Sequence, residues 1–137
     1  MGDRHEIIEL SLPVNAAYVS AARLTASSIA NRLGFEIDEM EDVKAAVSEA
    51  CTLLIKLARA NTVKHFKVIF DPGAESLSVR IHVKDIDFTS DDDGMSLMMI
   101  RALMDSVVIS RQNGISELCM VKNHQESGEW RVESGEL

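Results

Sequence analysis

The side chains able to do chemistry are few and unevenly spread. Cys51 and Cys119 are the only two cysteines, far apart and with no C-x-x-C or Cys/His ligand spacing, so neither a disulfide framework nor a metal site is implied. The histidines His5, His65, His82 and His124 form no i,i+4 pair and stand beside no nucleophile, so they are assigned no chemistry. The segment Asp85 to Asp93 holds five aspartates and no apolar period, which predicts a loop. Its last three, Asp91-Asp92-Asp93, run into Gly94, a residue that permits a tight turn into a following helix. A helix start carries roughly half a positive charge and free N–H groups, which is why phosphates bind there. Three carboxylates at that point take the place themselves and repel an incoming triphosphate, by about 4 kcal/mol per unit-charge pair at 4 Å for an effective dielectric of 20. The acidic run Glu36, Asp38, Glu39, Glu41, Asp42 reads as the solvated start of a helix. Met95, Met98, Met99 and Met104 read as core filling, with an adaptable docking surface as the alternative.

These residues need elements to position them. The chain has 137 residues, 46% of them apolar, enough for one domain with its own core. We place that domain at residues 1–122, followed by a polar tail over 123–137, loosely packed except for Trp130. Ile8, Leu10 and Leu12 alternate with polar residues and Pro13 closes a short strand. Asn15 caps a helix with Ala16, Val19, Ala22, Ala26, Ile29, Ala30 and Leu33 on one stripe, ending at Gly34. Asp38 and Glu41 form a capping box for a second helix reaching about Ala60. Two hairpins follow, one turning at Asp71-Pro72-Gly73 and one at Asn113-Gly114, with a short helix around Leu97 to Met104 between them. The expected fold is α+β, a two-layer sandwich with a mixed or antiparallel sheet and its helices on one face.

Charge and hydropathy narrow the function classes. Lys and Arg total 14 against 22 Asp and Glu, a net charge of −8, which repels phosphodiester backbones and anionic lipid surfaces. Direct nucleic-acid or membrane binding is not expected. The start of the chain is polar, and Arg101 interrupts the oily run from Met95 to Met104, so we expect a cytoplasmic protein.

Three segments then carry a resemblance. Val47-Ser48-Glu49-Ala50-Cys51-Thr52, the strand end Val83-Lys84-Asp85, and Gly94-Met95-Ser96-Leu97 through Asp105 resemble bacterial anti-sigma factors that are also serine-protein kinases, the RsbW and SpoIIAB type. These belong to the GHKL, or Bergerat-fold, ATPase superfamily. The likeness runs from about Ile7 to Lys122 and includes Tyr18-Val19 and Arg23-Leu24 in the first helix. It implies ATP and magnesium as cofactors, a Glu and a metal-ligating Asn one turn apart, an adenine-binding Asp in a D-x-G-x-G loop, and a G-x-G that cradles phosphate. It also implies a sigma factor or an anti-anti-sigma protein as partner, a contact through Arg23, and a homodimer, which we place at the sheet edge near the first strand.

Against that pattern Glu49 matches the Glu, as candidate catalytic base, but Leu53 stands where the Asn belongs and offers magnesium no oxygen. Asp85 matches the adenine Asp, but Asp87 and Thr89 replace the glycines, and the carboxylate of Asp87 is expected to face the pocket. Gly94 matches the first phosphate-loop glycine and Ser96 replaces the second, so Asp85, Gly94 and Ser96 are the candidate nucleotide-binding residues. The reading that follows is a pocket filled by Leu53 and Leu57, no metal, and regulation by protein–protein binding. The alternatives are a working ATP-dependent serine kinase of the same family, and a sensory or scaffold module unconnected with sigma factors.

Overall fold

Period-two hydrophobicity builds the sheet. The computed structural model describes residues 6–60, 62–90 and 94–125. The strands β1 (Ile8–Pro13), β2 (His65–Pro72), β3 (Ser76–Lys84), β4 (Ser106–Gln112) and β5 (Ile115–Asn123) join in the order β1-β2-β3-β5-β4. Every pairing is antiparallel. Leu12, Phe66, Val68, Phe70, Leu77, Val79, Ile81, Leu118 and Met120 are buried on one face, while Lys67, Arg80, His82 and Glu117 alternate with them on the other. Asn113 (φ +55°) and Gly114 (φ +79°) turn the second hairpin in left-handed conformations that Asn and Gly adopt readily.

Three helices cover the buried face. Asn15 accepts the N–H of Ala17 at 2.9 Å and starts a 3-10 turn (Ala16–Tyr18) that leads into α1 (Val19–Arg32). The helix α2 (Ile37–Leu57) is capped at Glu36, two residues before the expected cap at Asp38. Its capping box uses Glu39, whose Oε1 accepts the N–H of Glu36 at 2.7 Å, rather than Glu41. Glu41 instead pairs with Lys44 on the surface, at 3.2 Å. The third helix is α3 (Met95–Leu103). Lys122 fastens the layers, its ammonium donating to Asp42 Oδ2 at 2.9 Å and to the Leu103 carbonyl at 2.8 Å.

Two expectations need correction. Met95, Met98 and Met99 are exposed and only Met104 is core, because α3 buries the stripe of Leu97 and Ile100 instead. The chain also stays packed past residue 122. His124 stacks on Phe35 at 5.4 Å and lies 2.9 Å from Glu39 Oε1, while Gln125 donates its N–H to Glu39 Oε2 at 2.8 Å. The rest of the expected polar tail, with Trp130, lies outside the described residues, as does Asp91-Asp92-Asp93.

Candidate functional site

Adjacent positions of α2 project side chains toward both neighbouring helices. Ser48 accepts a hydrogen bond from Arg23 Nη1 on α1 at 3.2 Å, and Glu49 Oε2 accepts one from the Ser96 hydroxyl on α3 at 2.8 Å. Two of the candidate residues, Glu49 and Ser96, are thus joined directly, in half-buried surroundings where a charge-assisted bond is stronger than in water. Gly94 stands at the N-cap of α3 with φ +66° and ψ 9°, a left-handed geometry that lets the chain turn sharply into the helix. One turn after Glu49, Leu53 is 1% exposed and part of the core. Leu57 is partly buried against the same core.

Asp85 lies apart from that pair. It follows β3 in a left-handed conformation (φ +54°), donates its N–H to the Gly114 carbonyl at 3.0 Å, and turns Oδ1 toward Arg111 at 3.4 Å. The segment after it is not the open loop expected from its acidity. Ile86 is buried, its carbonyl accepting the Ser116 hydroxyl, and Phe88 is wholly buried in a 3-10 turn (Phe88–Ser90) that packs against α2. Asp87 is turned back into this turn rather than left to face a pocket. Its Oδ1 accepts the Thr89 hydroxyl at 2.6 Å and the Thr89 N–H at 2.9 Å, and these bonds, the hydroxyl first, hold its carboxyl below the usual range. Ile86 and Phe88 were missed as site residues. Their signal was two apolar side chains alternating with Asp85, Asp87 and Thr89.

The remaining titratable groups are structural. Cys51 is buried on α2 and burial pushes its thiol up to about 12, far from a nucleophile's value. Two of the histidines have carboxylate neighbours, His82 at 2.7 Å from Glu117 and His124 at 2.9 Å from Glu39, while His5 lies outside the described residues. Among the described residues no three His, Cys, Asp or Glu side chains gather in a way that could hold a metal ion. No helix of the described residues is long and apolar enough to cross a membrane.

A five-stranded antiparallel sheet covered on one face by helices, with a Glu in the long helix, an Asp after the third strand and a glycine-led helix start, defines a histidine-kinase-like ATPase fold. The chain belongs to the histidine kinase-like ATPase domain family, whose sequence profile matches residues 12–122, and within it to the anti-sigma factor and serine-protein kinase group of RsbW type. It is similar to the serine-protein kinases RsbW of Bacillus mycoides (strain KBAB4) and Bacillus cereus (strain Q1), each 30% identical over 86% of this chain and 86% of the relative. Its fold is also that of a solved structure, the RsbU and RsbW domains of Rv1364c from Mycobacterium tuberculosis, with a TM-score of 0.70 at 13% identity. That likeness covers 86% of this chain, which spans 32% of the larger one.

Proposed function

We propose that this chain is an anti-sigma-type regulator that works by binding a protein partner, a sigma factor or an anti-anti-sigma protein, and that its inherited nucleotide site is closed. One observation carries the reading. The Ser96 hydroxyl donates to Glu49, so the carboxylate that would take a proton from a substrate serine is already engaged by a hydrogen bond from the chain's own α3. Leu53 adds to it, because a buried hydrocarbon at the metal-ligand position supplies none of the oxygens that magnesium requires. Asp87 and Thr89 stand where the family has two glycines, Ile86 and Phe88 beside them are buried apolar bulk, and Ser116 and Gly114 tie that segment to the second hairpin. The residues therefore do not fit a magnesium-chelated triphosphate, and we route no chemical step through one.

Partner capture in this reading centres on α1. Arg23 keeps one guanidinium nitrogen on Ser48, which holds the side chain across the α1–α2 groove with donors left for an acidic group on a partner. Tyr18 and Leu24, both exposed on the same stretch, supply apolar anchors. The edge strand β1 would pair with a second copy in a homodimer, and the working compartment would be the cytoplasm. The RsbW relatives are named as serine-protein kinases, which favours the competing reading of an active enzyme. Calorimetry with Mg·ATP and a phosphotransfer assay on co-purified partners decide between the two. Neither ordered nucleotide binding nor transfer is expected, and micromolar Mg·ATP binding would overturn the closed site. Capture of a sigma factor or anti-anti-sigma protein that is lost in Arg23→Ala would establish the partner class, whereas capture of neither would point to a scaffold.

A further inference from the structure

At one end of the sheet, β2 and β3 part. Their register runs from Pro72↔Leu77 to Lys67↔His82 and stops there. Beyond that pair β2 stays bound to β1 as far as His65, and β3 stays bound to β5 as far as Lys84. A cleft of about 930 Å³ lies at the separating strand ends, with Thr62 and Lys64 among its lining residues.

The lining of this cleft holds three lysines and two histidines against one carboxylate, that of Asp85, in a chain of net charge −8. Two lie on β2, His65 and Lys67, and two on β3, His82 and Lys84, with Lys64 beside them. Lys67 and His82 face each other at the last paired position, and His65 and Lys84 lie two residues further along their own strands, where β2 and β3 have separated. Two of the cleft's basic groups already have carboxylate partners, and Asp85 on the cleft wall is held by Arg111. Glu117 lies 2.7 Å from His82, Asp85 lies 3.4 Å from Arg111, and Glu9 meets Lys67 only loosely, at 3.9 Å. Among the described residues no carboxylate comes within ion-pair distance of Lys64 or Lys84.

We propose that this cleft is a binding site for a compact polyphosphate anion, one with two or more phosphoryl groups held between Lys67 and Lys84 and capped by Lys64. Lysines recognise phosphate as point charges, whereas carboxylates are read best by the planar fork of Arg, which is not among the lining residues. The volume is that of a small-molecule pocket, and a long nucleic acid would extend beyond it over acidic surface. Neither Glu49 nor Ser96 lines this cleft; of the candidate nucleotide residues only Asp85 does, and the proposal places no phosphoryl contact on it.

The test is calorimetric titration of inorganic triphosphate into the full chain at low ionic strength without magnesium, for the wild type, for Lys67→Gln/Lys84→Gln, and for the charge-matched control Arg32→Gln/Lys44→Gln. Lys67, Lys84 and Arg32 are exposed and Lys44 is half-buried, so thermal melts of both variants accompany the titration. Saturable binding is expected, weakened roughly tenfold or more in the cleft variant, as the loss of about 1.4 kcal/mol of charge pairing gives, and retained in the control. No saturable binding by the wild type would overturn the proposal. Equal weakening in both variants, which marks diffuse charge attraction, would overturn it too, and so would full binding by the cleft variant, which places the anion elsewhere.

Discussion

Replacing Leu53 by Asn puts back the residue type that the resemblance implies for a magnesium ligand, and so tests whether the position faces a ligand or the core. Leu53 is 1% exposed. Burying a Leu side chain is worth about 1.5–3 kcal/mol, and a buried amide without partners costs a further 1–3 kcal/mol or so. The two effects together predict a loss of roughly 3–6 kcal/mol. With a urea slope near 2 kcal/mol/M, the midpoint falls by about 2 M. Mg·ATP should not recover it, because bound ligand raises stability only where a site exists. Leu53→Ala, losing about 2–5 kcal/mol, and Leu53→Met, losing under about 1.5, bracket the effect and remain informative should the Asn variant not fold. A cost below about 1 kcal/mol for Leu53→Asn, with nucleotide binding newly present, would refute the reasoning, since the amide would then be hydrated at the mouth of a usable pocket.

Four further outcomes are expected. Ser96→Ala removes the donor to Glu49 and should lower stability by about 1 kcal/mol, a bond to a charged group being worth up to 3 and this one being only half-buried; denaturation of the Glu49→Gln, Ser96→Ala and double variants isolates the coupling. Gly94→Ala meets no atom within 4 Å, so the left-handed φ of +66° alone sets its cost, about 1–2 kcal/mol in thermal melts. For Glu39, burial pushes the pKa up, but the N–H groups of Glu36 and Gln125 and the neighbouring His124 outweigh it and leave the carboxyl below its ordinary value. Its stabilisation is therefore complete above the unfolded pKa, near 4.3, and fades as pH falls through the lower folded value; Glu39→Gln should flatten that acid limb of the stability curve. Cys51, its thiol raised to about 12 and fully buried, should resist thiol labelling at pH 8 until denaturant unfolds the chain, and rapid labelling in native buffer would contradict the burial.

Most of the architecture was readable because burial imposes a period on each element. The stripe Ala22, Ala26, Ile29 and Ala30 on α1 and the alternation Leu77, Val79, Ile81, Val83 on β3 both reappear as core. Failures occurred where two patterns compete. At the start of α2 several acidic residues qualify as caps, and only the backbone geometry at Glu36 selects Glu39. On α3 the methionines and the Leu97–Ile100 stripe share a helix nine residues long, and hydrophobicity alone does not say which face turns inward. At the chain's end, His124 looked like part of a polar tail because its partners, Phe35 and Glu39, lie far away in sequence.

The candidate site divides along the same line. That Leu53 lacks a donor atom is a property of residue type and needs no coordinates. That Glu49 is already engaged is a property of two elements meeting, because Ser96 lies 47 positions away and only the packing of α2 on α3 brings its hydroxyl to 2.8 Å. Phe88 lies between these cases. In a stretch dominated by aspartate an aromatic residue pulls against the loop, and burying it in the core outweighs the cost of bending acidic neighbours into a 3-10 turn, provided their carboxylates find donors. Asp87 finds them on Thr89, and Asp85 has Arg111. The polar residues of this segment are thus the condition under which an apolar plug can enter α2's surface, so removing the Asp87–Thr89 turn should loosen Phe88 before it disturbs any strand of the sheet.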